Sequence, residues 1–333
     1  MTTTRTIATV DISRYLAGDE AGTRDVVRQI DESCRSIGFL IITGHGVSPE
    51  LVAATRRASM DFFALSPEQK LAYKMPPDRY RGYTSPGTES LAASYGIESP
   101  PDLKESFSIG PFAVDDNDEY YSPLRAGAFF AANIWPRELP QMQDALCRYY
   151  AAMEVLSTQL MRLFALALRL PEHFFDDKID RHITNMSIIR YPPLSSPPAP
   201  GQMRGGAHTD FGSLTIVQRD QAPGGLQVLV DGVWINAPHI EDSFVVNLGD
   251  LMAEWTNDRW VSTVHQVATP DKLEDAMSDR LSMVFFHQPN YDAEVNVLST
   301  CVSEGHPAKY EPTTSGGHIT TKILAMRSPE LGS

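Results

Sequence analysis

The chain has 333 residues, of which 42% are hydrophobic and 21% are charged, and its formal net charge is −14 at pH 7. This composition is ordinary for a globular enzyme, and the negative charge argues against nucleic acid or an anionic membrane as partner, because both require clustered Lys and Arg. A small-molecule substrate is therefore expected.

The cysteines and the N-terminus indicate the cellular setting. Cys34, Cys147 and Cys301 form no Cys-x-x-Cys pair, so neither a disulfide framework nor a thiolate zinc site is expected. No segment has the apolar length of a signal peptide or a membrane helix. We expect a cytoplasmic protein, and the sequence does not indicate its oligomeric state.

The first half of the chain mixes strands and helices. Residues 6–12 and 39–43 are predicted strands, and the apolar spacing between them predicts a helix over 22–34. Residues 75–101 are rich in Pro, Gly, Ser and Tyr, which predicts a long loop, and loops of this length are often functional. Residues 137–170 have helical apolar spacing and are predicted to form a scaffold helix.

Short β segments separated by turn residues dominate after residue 182. The predicted strands are one that carries His208 and Asp210 and those over 186–191, 214–218, 226–230, 233–236, 244–247, 261–267 and 281–287. Roughly eight such strands are typical of a jelly roll. The predicted fold is thus mainly β with α, in one compact catalytic domain.

The chain is expected to divide into three parts within that domain. Residues 1–182 form a layer of helices and strands, residues 183–300 form the jelly-roll core with a metal site, and residues 301–333 form a C-terminal extension. No Pro- or Ser-rich linker separates the helical part from the strands, so the helices are predicted to brace the core.

His208 and Asp210 lie two residues apart in a predicted strand, so their side chains project from one face. A second histidine returning to that point would complete the set of two imidazoles and one carboxylate that suits Fe(II) and leaves positions open for oxygen. The candidates downstream are His239, His265, His287, His306 and His318. His265 is the best placed, because residues 260–267 are apolar and β-branched like a core strand.

Arg280 begins another apolar strand, in which Ser282, Val284 and Phe286 share its face. A guanidinium at the mouth of an apolar barrel needs an anion. One possibility is an ion pair with Asp279 or Asp250. The other is a bidentate clamp on the carboxylate of a ligand, assisted by the Ser282 hydroxyl.

Several segments together resemble the isopenicillin N synthase-like group of non-haem Fe(II)- and 2-oxoglutarate-dependent dioxygenases. They are HTD, WVSTVHQV, RLSMVFFHQPN and IIRYPP around the predicted site, and TIATVDIS, IGFLIITGHGVSPELV, RGYTSPGTES, KESFSIG and GGHITTKI elsewhere. The resemblance covers most of the chain, and its motifs are specific in combination.

The resemblance implies a double-stranded β-helix in which His208, Asp210 and His265 hold Fe(II). It also implies that Arg280 and Ser282, with the Tyr191 hydroxyl, bind the far carboxylate of 2-oxoglutarate. With O2 as the third participant, such an enzyme oxidises an unactivated C–H bond by hydroxylation, desaturation or ring formation.

The predicted substrate contacts are of two kinds. The apolar face of Val284 and Phe286 is expected to exclude water from the oxidant. The resemblance places Arg81 and Tyr83 near the barrel mouth, where the long loop would act as a lid over the substrate. A solvated Arg81 on an exposed loop is the alternative.

Departures from the group narrow the expected activity. Ile189 stands where many plant members have Asn, which matches the bacterial antibiotic-forming branch, and Asp210 is a carboxylate where halogenases have Gly or Ala. Isopenicillin N synthase uses a similar Arg-x-Ser pair on its substrate without 2-oxoglutarate. Two alternatives therefore stand beside the oxygenase: an iron oxidase independent of 2-oxoglutarate and a non-catalytic jelly-roll binding protein.

Overall fold

A computed structural model describes residues 6–327, except 78, 93–98, 113, 115, 116, 122–126, 195 and 271. Its strands are β1 (Ala8–Asp11), β2 (Phe39–Thr43), β3 (Gly82–Thr84), β4 (Glu105–Ile109), β5 (Asn185–Tyr191), β6 (Gly205–His208), β7 (Leu214–Arg219), β8 (Gly225–Val230), β9 (Val233–Asn236), β10 (Phe244–Leu248), β11 (His265–Ala268), β12 (Arg280–His287), β13 (Glu294–Val295) and β14 (Thr313–Thr314).

The helices surround these strands and lie mostly in the first half of the chain. They are α1 (Ser13–Leu16), α2 (Glu20–Ser36), α3 (Pro49–Phe63), α4 (Pro67–Leu71), α5 (Pro140–Ala167), α6 (Asp176–Ile179), α7 (Asp250–Trp255), α8 (Leu273–Ala276) and α9 (Ser315–Arg327). None of the described helices is long and apolar enough to cross a membrane.

Two sheets form the jelly roll. The larger has the strand order β1-β2-β10-β7-β12-β5-β4-β3, and the smaller has the order β6-β11-β8-β9. Among the described strands of these sheets, only β1 and β2 pair in parallel. Strands from the first 182 residues therefore share the larger sheet with β5, β7, β10 and β12. The predicted jelly-roll fold is confirmed.

The helices α2, α3 and α5 pack together on the outer face of the larger sheet. Residues of α5 bury one continuous core against Leu281, Met283 and Phe285 of β12. A second apolar cluster joins the two sheets, with Phe39 and Val228 among its members. These two cores fix the larger sheet between the helices and the smaller sheet.

Local sequence explains how several elements begin. Ser48 accepts a hydrogen bond from the Leu51 amide at 3.2 Å, and Pro49 occupies the first position of α3, where its missing N–H costs nothing. The Asp19 side chain caps α2 in the same way. The predicted scaffold helix is present as α5, and it begins and ends inside the predicted 137–170.

Two predicted β features are wrong in part. Of the strand predicted over 261–267, only the end from His265 onward pairs with neighbouring strands, as β11. Asp210 lies just beyond the end of β6, so the strand itself carries His208 alone. The predicted loop 75–101 contains the short edge strand β3, while residues 78 and 93–98 of it lie outside the described residues.

Candidate active site

A cavity of about 320 Å³ lies between the two sheets. This volume falls within the range of pockets that bind small organic ligands. Side chains from β4, β5, β7, β10 and β12 of the larger sheet line it, and so do residues of β6, β8 and β11. His208, Asp210, His265, Arg280, Ser282, Tyr191, Val284, Phe286 and Arg81 all belong to this lining.

His208, Asp210 and His265 meet at one point of the cavity wall. One ligand atom from each lies within 4.8 Å of the other two. The Oδ1 of Asp210 is 3.8 Å from Nε2 of His208 and 3.9 Å from Nε2 of His265. β6 and β11 bring the histidines together, because His208 and His265 are direct partners in that antiparallel pair. Among the described residues, the other candidate histidines do not join this group.

Backbone carbonyls orient both imidazoles. Nδ1 of His208 is 2.7 Å from the Gly206 carbonyl oxygen, and Nδ1 of His265 is 3.1 Å from that of Thr263. Because a carbonyl only accepts, each Nδ1 carries the hydrogen and each Nε2 offers a lone pair to the shared point. Burial, followed by the nearby His265, lowers the pKa of His208 to about 3, so this imidazole is neutral at pH 7.

A hydrogen bond fixes the carboxylate of Asp210. The Asn247 amide donates to Oδ2 at 2.7 Å, which leaves Oδ1 facing the histidines. Burial by itself raises the pKa of Asp210, but the two histidines and the hydrogen bonds outweigh it, and the pKa lies below its usual value. Two imidazoles and one carboxylate on one side of an ion are the donor set that suits Fe(II).

The side chains of β12 alternate as the sequence predicts. Arg280, Ser282, Val284 and Phe286 face the cavity, whereas the residues between them enter the core under the helices. A strand rises about 3.3 Å per residue, so Arg280 and Phe286 are about 20 Å apart along the cavity. On β12, Arg280 thus marks one end of the cavity wall, and the apolar Val284 and Phe286 mark the other end.

Arg280 is 2% exposed, and its Nε and Nη1 have no hydrogen-bond partner among the described residues. The predicted ion pair with Asp279 or Asp250 is wrong, because Asp279 binds Arg190 at 2.8 Å and Asp250 binds Lys322 at 2.7 Å. A Cβ at Gly225, which has φ +124°, would collide with Nη1 of Arg280. Because Gly225 has no side chain, the guanidinium of Arg280 fits against its backbone.

Tyr191 and Ser282 place two hydroxyl groups beside Arg280. Tyr191 is the direct partner of Arg280 in the β5–β12 pair, and the Arg280 guanidinium lies 5.6 Å from the centre of the Tyr191 ring. Tyr191 is 3% exposed, and Ser282 lies two residues after Arg280 on the same face of β12. A buried guanidinium with free N–H groups next to two hydroxyls is a site for a carboxylate.

Arg81 and Tyr83, both predicted to face the substrate, have different surroundings. Arg81 is 1% exposed, so the alternative of a solvated arginine is wrong. Its Nη1 donates to the Asn185 side chain at 3.1 Å, and its Nη2 donates to the Phe129 carbonyl. Tyr83 does not line the cavity. It lies in the core, where its hydroxyl donates to Glu105 at 2.6 Å.

Sequence reasoning missed several polar residues of the cavity wall, among them Lys104, Arg219 and Asn247. A signal existed for Arg219, because it directly follows the predicted strand 214–218 and continues the alternation of Thr215 and Val217 on one face. No comparable signal existed for Asn247, whose position depends on how β10 pairs with β7.

Comparison with known families agrees with this geometry. A family model described as the 2OG-Fe(II) oxygenase superfamily matches residues 183–289, which contain the three clustered residues and Arg280. A second model, described as non-haem dioxygenase in morphine synthesis N-terminal, matches residues 7–138. A validamycin A dioxygenase of Streptomyces hygroscopicus subsp. limoneus is 33% identical over 309 residues, which cover 91% of this chain and 82% of the relative. The chain belongs to the non-haem Fe(II)- and 2-oxoglutarate-dependent oxygenases.

Further members of this oxygenase family have similar length and fold. A homoarginine-6-hydroxylase of Oryza sativa subsp. japonica is 32% identical, with 90% of this chain and 88% of the relative covered. The structure of a full-length Neurospora crassa protein in complex with alpha-KG and thymine superimposes with a TM-score of 0.82 at 29% identity and covers 96% of both chains. The protein is therefore an oxygenase that uses Fe(II), 2-oxoglutarate and O2, and the two alternative functions are not supported.

Proposed function

We propose that His208, Asp210 and His265 hold the Fe(II) of this oxygenase. The observation that carries the proposal is the convergence of two Nε2 lone pairs and one carboxylate oxygen at a single point of the cavity. The hydrogen bonds on the far side of each group support it, since metal-bound histidines and carboxylates are normally held in this way. Three protein ligands leave positions free for a co-substrate and oxygen.

Arg280, Ser282 and Tyr191 bind the far carboxylate of 2-oxoglutarate in this proposal. The unpartnered Nε and Nη1 of the buried Arg280 support it, because a buried guanidinium without an anion is costly. When bound together, Fe(II) and 2-oxoglutarate supply an oxidant strong enough for an unactivated C–H bond. The residues of the chain hold the acid, orient it and exclude water.

The primary substrate lies at the end of the cavity formed by Val284 and Phe286 of β12. Arg81 forms part of the wall there, where its guanidinium holds Asn185 and the Phe129 backbone in place. The reaction is hydroxylation, desaturation or ring formation on a small molecule of specialised metabolism. The validamycin and homoarginine named for the relatives support a small organic substrate.

The composition supports a cytoplasmic setting without a nucleic-acid partner. Cys34, Cys147 and Cys301 are free thiols, as expected under reducing conditions. The net charge of −14 disfavours polyanions.

Replacement of any one of His208, Asp210 or His265 by Ala tests the metal site. Each variant is expected to lose 2-oxoglutarate turnover, measured as succinate release, while its circular dichroism stays unchanged, because the two apolar cores hold the fold. In anaerobic solution, Fe(II) and 2-oxoglutarate are expected to give a weak visible charge-transfer band with the unmodified chain and no band with the variants.

His239→Ala serves as the control, because this histidine is exposed and lies outside the cavity. It is expected to keep both the band and the turnover. Near-normal turnover in any of the three cavity variants would contradict the assignment of the metal ligands.

A further inference from the structure

Arg219, at the end of β7, is a second cation beside the proposed carboxylate clamp. It is the direct partner of Ser282 in the β7–β12 pair, so the two side chains project from the same face of the sheet. Arg280 lies two residues before Ser282, which makes Arg219 and Arg280 diagonal neighbours on that face, within reach of long side chains. Both line the same cavity.

Within the described ranges, the Arg219 guanidinium has hydrogen-bond acceptors at one nitrogen only. Nη2 donates to the Ala237 carbonyl at 2.8 Å and to the Pro238 carbonyl at 2.6 Å. These bonds use both hydrogens of Nη2, and the hydrogens on Nε and Nη1 remain for another acceptor. The anchoring also fixes the side chain, so a ligand would bind a preorganised group.

The surroundings of Arg219 and Arg280 bear on what they could bind. In the part of the chain that the structure describes, no carboxylate forms an ion pair with Arg219 or Arg280. Burial, followed by the charge of Arg280, lowers the pKa of Arg219 to about 10, which still leaves it charged at neutral pH. Arg204 is fully buried. Its pKa is also lowered, mainly by burial and next by the charge of Arg280.

Two cations on one face of a sheet repel each other, and the cost is increased by burial, which is nearly complete for Arg280 and partial for Arg219. A bound carboxylate between them would relieve both effects. We propose that Arg219 is a second binding residue for the far carboxylate of the keto acid, which sets the preference of this oxygenase for a dicarboxylic co-substrate. The inference rests on the proposed function, because it places 2-oxoglutarate against Arg280.

The test compares two keto acids in anaerobic titrations of the Fe(II)-loaded protein, followed by the charge-transfer band. 2-Oxoglutarate has the far carboxylate, whereas 2-oxobutanoate lacks it. Arg219→Gln is expected to raise the Kd of 2-oxoglutarate about tenfold, the value of a charge-assisted hydrogen bond, and to leave the Kd of 2-oxobutanoate nearly unchanged. Arg219→Lys keeps the charge and is expected to restore part of the affinity for 2-oxoglutarate.

Arg56→Gln is the matched control. Arg56 also lies close enough to Arg280 for their charges to interact, but it does not line the cavity and pairs with Asp220 and Gln218. This variant is expected to bind both keto acids as the unmodified chain does. Thermal unfolding of each variant checks its fold, and Arg219→Lys carries the test if Arg219→Gln does not fold.

The outcomes separate this inference from the function on which it rests. An unchanged Kd of 2-oxoglutarate in Arg219→Gln, together with a raised Kd in Arg280→Ala, overturns the role of Arg219 and leaves the clamp in place. Equal weakening of both keto acids by Arg219→Gln identifies a merely structural residue and also overturns it. An unchanged Kd in Arg280→Ala overturns the proposed placement of 2-oxoglutarate itself.

Discussion

Asn247 orients the carboxylate of Asp210 through a 2.7 Å hydrogen bond and is 1% exposed. Asn247→Ala removes this donor and lets the carboxylate rotate away from the histidines. We expect the Kd for Fe(II) to rise about 10–100-fold, as is usual when a group that supports a metal ligand is lost. Anaerobic equilibrium titration with Fe(II) measures the change.

Asn296→Ala is the control for that experiment, since Asn296 is exposed and lies outside the cavity. It is expected to bind Fe(II) like the unmodified chain. Unchanged metal affinity in Asn247→Ala would mean that Asp210 keeps its orientation without the amide, and it would leave Asn247 a packing role only.

Single residues of the site differ in how far the sequence could identify them. Arg280 and Ser282 could be predicted because alternation along one strand fixes which side chains share a face. Asn247 could not, since it reaches Asp210 only through the pairing of β10 with β7. Tyr83 was predicted to lie near the substrate together with Arg81. Arg81 enters the cavity wall, but Tyr83 turns into the core.

Among the elements, β11 shows where local pattern fails. Residues 261–264 have the composition of a strand, but Val261 and Thr263 form hydrogen bonds outside the sheet. The Val261 amide donates to the Cys34 carbonyl at 3.0 Å, and the Thr263 hydroxyl donates to that of Ile37 at 2.6 Å. The segment is thus bound to the end of α2 instead of the sheet. Such a tertiary contact cannot be predicted from the strand propensity of the residues. α3 could be predicted because its start depends only on neighbouring residues.

The helix α5 supports the sheet from outside, and Leu160 at its centre is fully buried. Leu160→Ala leaves a cavity in the core, so the free energy of unfolding is expected to fall by about 2–5 kcal/mol. The affinities for Fe(II) and 2-oxoglutarate, measured well below the melting temperature, are expected to stay the same because α5 does not line the active-site cavity. Urea unfolding gives the first quantity and anaerobic titration the second.

Val155→Ala on the same helix is the control, because Val155 is 59% exposed and its truncation opens no cavity. Its effect on stability is expected to be within about 0.5 kcal/mol. A large loss of co-substrate affinity in Leu160→Ala would contradict a purely supporting role for α5.

At the scale of the whole molecule, the residues that stabilise the jelly roll are largely different from those that line the active-site cavity. The apolar cluster under the helices and the one between the sheets bury the large side chains, while charged groups line the cavity. Asp210 and Arg280 are buried in its wall, where Fe(II) and 2-oxoglutarate are proposed to bind. Each ligand is therefore expected to stabilise the folded chain by mass action, since the unfolded chain lacks the assembled site.

Thermal unfolding in anaerobic solution measures that stabilisation in two steps. A ligand at 100 times its Kd adds about 2.7 kcal/mol to the free energy of unfolding, so Fe(II) alone and then 2-oxoglutarate are each expected to raise the melting temperature by a few degrees. Arg280→Ala is expected to keep the rise caused by Fe(II) and to lose most of the rise caused by 2-oxoglutarate. Asp210→Ala is expected to lose both, because the keto acid is proposed to bind through the metal as well as through Arg280. A full rise with Fe(II) in Asp210→Ala would show that the ion binds elsewhere, and a rise with 2-oxoglutarate that does not depend on Fe(II) would show that the acid binds through the arginines alone.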